Sequence, residues 1–571
     1  MQMPRQMPLP IPSACHKAFL LSSRIARALL VAFAFFLAAT VGIQIVHAAP
    51  QQPPAAAASK PVEGRTYQME SVLPYEFRGD LRDLPQSPFT GAAPRRAYRP
   101  LLTPPKPAKF AASPALAEPE SPSTNIPLAP MPGPIQNFAG LSADDTCGGV
   151  RCGPFIPPDT NGDVGLKHYI EAVNAAYAIY NKTGALLTSF TEDQLWNPSG
   201  SNPCNGNSQG DTVVIYDPLA DRWILTHFAF AVDSSGNGVS PFYECIAVSK
   251  TNDPVAGGWW LYPLQMDPGS PGPPVGTLND YPKFGIWPDC LYMSANGFDQ
   301  SSFNFVGTAY ASFSRSDLES GAKLTWSLGF INNATDPFTM IPSNLRGMSP
   351  SAMPPPGTPN YFVSESQTAS AFEVRTFTAG PNCGAGGTLS MPTNVSQTGY
   401  SAFPGVVVPQ PNTPDLLDAI DDRLMQKVQY RKVGSAESLW VVHSVQNTGG
   451  PVQPQWAQID VTGGTIATTP VQQQIYAPDA TLYRWMGSIA ADNQGNVALG
   501  YSTSNGTSPN FPSIAYSGRL ATDPLNTLPQ TETQLIAGAG SQTVLLNSQP
   551  VNRWGDYTAM SVDPADDCTF W

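Results

Sequence analysis

Asn552 to Trp571 reads NRWGDYTAMSVDPADDCTFW. Arg553 and Trp554 lead into Gly555-Asp556. Tyr557, Ala559 and Ser561 then alternate with Thr558, Met560 and Val562, the period-two pattern of a strand. Pro564 to Asp567 have turn chemistry, and a second apolar run starts at Cys568. The stretch is a strand, a tight turn and the beginning of another strand, and the fold turns on whether this unit stands alone.

It recurs. RWMGSIAADNQGNVALGYSTS starts at Arg484, with its turn at Asp492 to Asn496. RLMQKVQYRKVGSAESLWVVHSV starts at Arg423, RGMSPSAMPPPGTPNYFVSES at Arg346, DYPKFGIWPDCLYMSAN at Asp280 and GDTVVIYDPLADRWILTHFAF at Gly210. The earliest copy, DTNGDVGLKHYIEAVN at Asp159, is degenerate in its first strand. These seven hairpins recur at a spacing of roughly 50–80 residues, longer than the ~40–50 of familiar propeller repeats. AYAIYNKTGALLTSF and YECIAVSKTNDPVAGGWWLYPL supply outer strands. A small sheet with two apolar faces cannot hide both alone, and radial stacking buries face against face. The predicted fold is therefore all-β, a β-propeller of six or seven four-stranded blades, with seven the number the copies give. No 3.6-residue pattern is sustained, which excludes a helical solenoid. A pair of β-sandwiches would not explain seven similar hairpins.

The terminal hairpin then belongs to a last blade whose outer strands do not follow it. Either residues ahead of Cys147, such as IQNFAGL (Ile135–Leu141), complete it, or the sequence is truncated. Cys568 near the end favours truncation.

Composition agrees with loop-rich β structure. Of 571 residues only 13% are charged, 42% are hydrophobic and 61 are proline. A net charge of −13 without a basic run argues against nucleic acid as a partner. Arg24 and Arg27 precede the apolar stretch ALLVAFAFFLAATVGIQIV, which ends at Val46-His47-Ala48. Residues 1–48 read as a signal peptide, with an uncleaved membrane anchor as the rival and the only route to a membrane. Residues 49–135 are Pro- and Ala-rich and read as a disordered linker, although Tyr67 to Phe77 has the look of a short docking segment. Residues 136–571 form the propeller. Seven cysteines follow the apolar stretch without CxxC spacing, so disulfides are the better reading, with pairs Cys147–Cys152 and Cys204–Cys245. An exported protein is expected, whether secreted, periplasmic or at the cell surface.

PPDTNGDVGLKHYIEAVN (Pro157–Asn174) and the terminal NRWGDYTAMSVDPADDCTFW resemble a family of exported, mostly uncharacterised bacterial β-propeller proteins. The resemblance covers about Gln136 to Trp571. It implies a fold and an extracytoplasmic address, and brings no catalytic residues with it.

The site candidates come from the repeat. Arg346, Arg423, Arg484 and Arg553 recur at the start of the copies, with Asp280 and Asp556 nearby. Arginines gathered at a channel mouth would bind a carboxylate or sulfate; paired with Asp280, Asp422 or Asp556 they would fasten blades instead. Asp159, Asn161 and Asp163 alternate as calcium ligands do, but the EF-hand positions for Gly and Glu hold Val164 and Ile170. Turn chemistry explains that run equally well. Calcium is thus the one cofactor in view, and none is required. His168, His227 and His443 lack carboxylate partners at zinc spacing, and no GxSxG occurs. The reading is a propeller presenting a binding surface for a carbohydrate or a protein. The alternatives are a sialidase-like glycan hydrolase or lyase using an arginine-lined mouth, and a rigid scaffold. Paired acids beside the arginines would mark the enzyme.

Overall fold

A computed structural model describes residues 61–84, 130–142, 157–447, 449–546 and 549–571. Within these, six antiparallel sheets of four consecutive strands follow one another along the chain. Sheet 1 runs Asn161–Val164, His168–Val173, Ala176–Asn181, Leu186–Thr191. Sheet 2 runs Ser208–Asp217, Arg222–Val232, Gly238–Ser249, Trp259–Gln265. Sheet 3 runs Thr277–Ile286, Cys290–Asp299, Phe305–Ser314, Trp326–Ile331. Sheet 4 runs Phe338–Leu345, Asn360–Glu365, Ala371–Thr378, Thr388–Ser390. Sheet 5 runs Val428–Val433, Ala436–Gln446, Val452–Asp460, Gln472–Ile475. Sheet 6 runs Tyr483–Ala491, Val497–Ser504, Ser513–Arg519, Thr533–Ile536.

The sheets are stacked radially because each has two apolar faces. Ile170 and Tyr177 of sheet 1 share a core with Trp223, Leu225 and Trp259 of sheet 2. Ile224 and Ile246 pack on Phe284 and Met293 of sheet 3. Tyr292, Phe362, Phe377, Tyr430 and Val441 join sheets 3, 4 and 5, and Trp440 and Trp456 of sheet 5 meet Trp485 and Leu499 of sheet 6. The terminal segment fills the step from sheet 6 back to sheet 1. Met560 N donates to Ser488 Oγ (2.7 Å) on one side, and the Trp571 ring stacks on Tyr169 (5.5 Å) on the other. Asp567 N donates to Asp563 O across its turn, and Ser561 and Trp571 exchange backbone hydrogen bonds. This is a β-propeller, and the hairpins read from the sequence form its inner strands, with one change of phase. The inner strand of sheet 4 is Phe338–Leu345, so Arg346 lies past its end rather than at its start.

The inner strands lie edge to edge around the axis. Ser343–Leu345 pairs in parallel with Val428–Tyr430. Elsewhere amide and hydroxyl side chains accept the backbone N–H groups of the neighbouring inner strand: Asn161 from Val214 (2.9 Å), Asn344 from Ile286 (3.0 Å) and Gln429 from Ala491 (2.7 Å). Buried edges are thereby satisfied.

Two parts of the supposed linker are built into the propeller. Val62–Arg65, Tyr67–Gln68 and Tyr75–Phe77 add fifth strands to sheets 4, 3 and 2 in turn. Glu63 pairs with Arg375, and Glu76 with Lys250. The VEGR, YQ and YEF segments carry no proline, so their N–H groups can join a ladder. Further on, Pro130 bridges to Thr531, Asn137 donates to Leu535 O (3.1 Å) and Phe138 packs on Tyr180 (5.0 Å). The Ile135–Leu141 stretch thus spans from sheet 6 to sheet 1. Residues 1–48 and the Cys147–Cys152 pair lie outside the described residues. Cys204–Cys245 is bonded, as expected, and a second disulfide, Cys290–Cys383, joins sheet 3 to sheet 4. No helix of the described residues is long and apolar enough to cross a membrane.

Gly285 marks the closest approach of two inner strands. A Cβ there would stand 2.3 Å from the Ser343 carbonyl oxygen. Gly285→Ala is expected to destabilise the propeller by about 1–3 kcal/mol, read as a shift of the guanidinium midpoint at unchanged slope. An unshifted midpoint would show that the strands are not packed this tightly.

Candidate functional site

Four inner strands carry a bulge at the same place, just after they begin. Register shifts at Gly210/Val213, Asp280/Lys283, Phe338/Ile341 and Trp485/Ser488. The bulged residue is left-handed each time: Asp211 (φ 51), Tyr281 (φ 57), Thr339 (φ 52) and Met486 (φ 52). Each also has its N–H accepted by a side chain of an adjoining sheet. Asp211 N donates to Asn174, Tyr281 N to Asp211, Thr339 N to Asn296 and Met486 N to Ser444. In the terminal segment Asp556 N donates to Asp159 Oδ1 (2.9 Å). The bulges turn side chains toward the axis, and so make one mouth of the propeller polar.

The centre of this mouth is Lys283, 1% exposed. Its Nζ sits 3.4 Å from the Tyr281 ring centroid and 4.0 Å from that of Tyr557. The two tyrosines meet edge on at 5.5 Å; Tyr281 Oη donates to Asp556 O (3.1 Å) and Tyr557 Oη to Thr212 O (3.2 Å). Asp159 also accepts from Asn174 Nδ2 (2.7 Å). Arg553 holds Asp556 with two N–H groups. Asp211 and Asp280 are half-buried.

The electrostatics follow from burial. Burial, with Asp556 and Asp211 adding, pushes the Asp159 carboxyl well above the usual carboxylate range. Burial and then Asp280 push Asp211 up to about 7. Lys283 is pushed down to about 8 by burial, against the pull of Asp211 and Asp159. A carboxyl and an amine therefore titrate side by side near neutrality.

Beside this lies a second polar group. Tyr400 Oη is 2.6 Å from Glu365 Oε1 and 2.8 Å from Asp422 Oδ2. One hydroxyl donates one hydrogen, so one of its two carboxyl neighbours must carry a proton. Gln397 Nε2 also donates to Glu365 Oε1 (2.5 Å). His443 has Asp422 O at Nδ1 and Gln455 Oε1 at Nε2, each 3.2 Å away.

The sequence candidates are thus sorted differently from a ring of arginines. Arg553, Asp556 and Asp280 belong to the mouth. Arg423 lies there too, its guanidinium carbon 5.4 Å from the Tyr281 ring and 4.9 Å from Phe338. Arg484 is turned to Asp479 and Glu532 (2.5 and 2.7 Å) within the rim of sheet 6, and Arg346 is held by Asp163 at the far ends of the inner strands. Asp159, Asn161 and Asp163 diverge. Asn161 reaches Thr212 O and Asp163 reaches Tyr216 N, while Asp159 faces the mouth. Among the described residues no three His, Cys, Asp or Glu side chains are placed to hold a metal ion. Asp211, Tyr281, Lys283 and Tyr557 were missed. For Asp211, Tyr281 and Tyr557 the signal was an Asp at the start of three aligned copies, Asp211, Asp280 and Asp556, two of them followed by Tyr.

No protein-family model matches the chain, and no curated protein matches it. Solved structures offer distant likenesses. A bifunctional GH43-CE protein of Bacteroides eggerthii shares 14% identity over 58% of this chain and 36% of its own, with a TM-score of 0.28. A xylan beta-1,4-xylosidase from Bacillus halodurans C-125 shares 10% over 66% of this chain and 57% of its own, with a TM-score of 0.29. The Trypanosoma rangeli sialidase shares 10% over 63% and 54%, with a TM-score of 0.29. The chain spans between about a third and three-fifths of these proteins, and likeness this distant assigns no activity.

The raised Asp211 pKa sets a pH dependence. Folding favours its protonated form, so its stabilising contribution is full below the unfolded value of 3.8 and is lost as pH rises through about 7. Lys283 works from the alkaline side: its contribution is present above 10.5 and is lost as pH falls through about 8. Asp211→Asn keeps an acceptor for Tyr281 N, and is expected to flatten the fall in melting temperature between pH 4 and 7. Equal slopes in both proteins would refute this.

Proposed function

We propose that the protein is an exported propeller that binds a ligand at the Asp211–Asp280 mouth, with neutral carbohydrate as the ligand class. The observation that carries this is the pairing of two half-exposed carboxyl groups with a buried tyrosine–lysine centre at one end of the axis. Carboxylates accept hydrogen bonds from sugar hydroxyls, and the backing charges hold them in place. Arg553 already turns two of its N–H groups on Asp556, and Asp211 and Asp280 offer acceptors that would repel an anion, so the mouth suits an uncharged polyol better than a carboxylate or a sulfate. Two disulfides favour an oxidising compartment outside the cytoplasm.

A second reading, a glycan-cleaving enzyme, is favoured by the Glu365–Tyr400–Asp422 group. It places two carboxyl groups around one hydroxyl beside Arg423, the paired acids that glycosidic cleavage calls for.

The two readings separate in one set of experiments. Titration calorimetry of the full chain against neutral oligosaccharides should give heat that falls at least about tenfold in affinity, ~1.4 kcal/mol, in a D211N/D280N double variant. Reducing-end release that disappears in Asp422→Asn, with binding retained, would favour the enzyme. No heat with any neutral glycan would overturn the carbohydrate reading.

A further inference from the structure

The opposite end of the axis, where the inner strands finish, holds a second charged cluster. Its hub is Asp163. Arg346 Nη2 and Lys427 Nζ (2.9 Å) both bind that carboxylate, which also accepts from Val164 N (2.8 Å) and Tyr216 N (3.0 Å). Lys427 Nζ reaches Ser561 Oγ (3.2 Å) in the terminal segment as well. Arg431 stands alongside, its Nε donating to Asp492 O (3.0 Å) and its Nη1 to Asp567 Oδ1 (2.7 Å). Lys182 pairs with Asp563 (2.6 Å).

Arg346, Lys427, Arg431 and Lys182 face the carboxylates of Asp163, Asp563, Asp567 and Asp492, the last of which also accepts from Gln494 N, Asn496 N and Asn496 Nδ2. What the cluster lacks is hydrogen-bond acceptors. Nη1 of Arg346 and Nη2 of Arg431 are buried and find no acceptor among the described residues, in side chains whose residues are 2% and 1% exposed. A guanidinium N–H removed from water without an acceptor is among the costliest groups to bury.

We propose that a small monovalent anion of chloride's size and charge binds between Arg346 and Arg431, accepting the two unpartnered N–H groups. It would supply both missing acceptors. Gly347 fits this reading. It is left-handed (φ 103), and a Cβ on it would stand 3.3 Å from Asp567 Oδ2 and 3.4 Å from Arg431 Nη1, so the bare backbone lies against the ion pair. The next residue, Met348, is exposed, which keeps the route from solvent short. Burial, with Arg346 adding, pushes the Lys427 amine well below its ordinary range. The far mouth is then a structural halide site, distinct from the ligand mouth.

The test is the melting temperature of the full chain at fixed ionic strength in sodium chloride against sodium methanesulfonate, whose anion is too large for an enclosed position. A melting temperature that rises saturably with chloride, and a rise that vanishes in Arg431→Gln, is expected. Identical melting in both salts would mean that water completes the cluster and would overturn the proposal. If Arg431→Gln does not fold, bromide-soaked crystals of the unaltered chain decide. An anomalous peak between the two guanidinium groups supports the site, and a flat map there refutes it.

Discussion

The structure depends on a backbone conformation that a side chain resists. A left-handed non-glycine residue costs on the order of 1 kcal/mol or more, yet Asp211, Tyr281, Thr339 and Met486 adopt it at corresponding places in four inner strands. Each is over-determined in the same way. The bulge lifts one N–H out of its own ladder, and a side chain from an adjoining sheet accepts it. The strain of one sheet is therefore relieved by its neighbour, and no sheet reaches its native inner edge alone. Closure of the ring is a condition for each blade, and the terminal segment meets it through Asp556 N and Asp159.

The same geometry concentrates charge on the axis. Inner strands packed edge to edge leave little room for water, so polar side chains that point inward must satisfy one another. Asn161, Asn344 and Gln429 do so as neutral amides. At the two ends charges take over. One end gathers carboxyls around Lys283, and the other gathers cations around Asp163. Where carboxyls cluster, the fold answers by raising their pKa, as at Asp159 and Asp211. Where cations cluster, it lowers theirs, as at Arg346, pushed down to about 10, and Lys427. Burial is the first cause in all four.

Much of the fold was legible because its signal is local. Alternation and turn residues put inner hairpins at Gly210, Asp280, Arg423 and Arg484, and strands stand there. The phase failed at Arg346, where a proline-rich loop follows the inner strand and imitates the turn inside a hairpin. Proline content also hid Val62–Arg65 and Tyr75–Phe77, since strands of three or four residues leave composition unchanged while their partners lie about 180 to 330 residues away. The arginines misled for a related reason. Position in a repeat fixes where a Cα lies, not which carboxylate lies nearest. Arg484 finds Asp479 and Glu532 on its own rim, and only Arg553 and Arg423 stay at the mouth. Lys283 carried no signal at all: a lone lysine inside an apolar strand reads as a surface residue until the bulge turns it to the axis.

The repeat also explains why the mouth is lopsided. The bulge needs only a backbone N–H and a neighbour's acceptor, so the identity of the bulged side chain is free. Sheet 2 spends it on Asp211 and sheet 3 on Tyr281, while sheets 4 and 6 carry Thr339 and Met486. Titratable groups therefore crowd the side formed by sheets 1 to 3 and the terminal segment. Across from them, sheets 4 and 5 contribute Arg423 and the Glu365–Tyr400–Asp422 group. A ring held together by main-chain caps can vary its mouth without altering its closure. Chemistry at this mouth is set by which sheets place a carboxyl, a tyrosine or an arginine beside the cap, and here three adjoining positions have done so around one buried lysine.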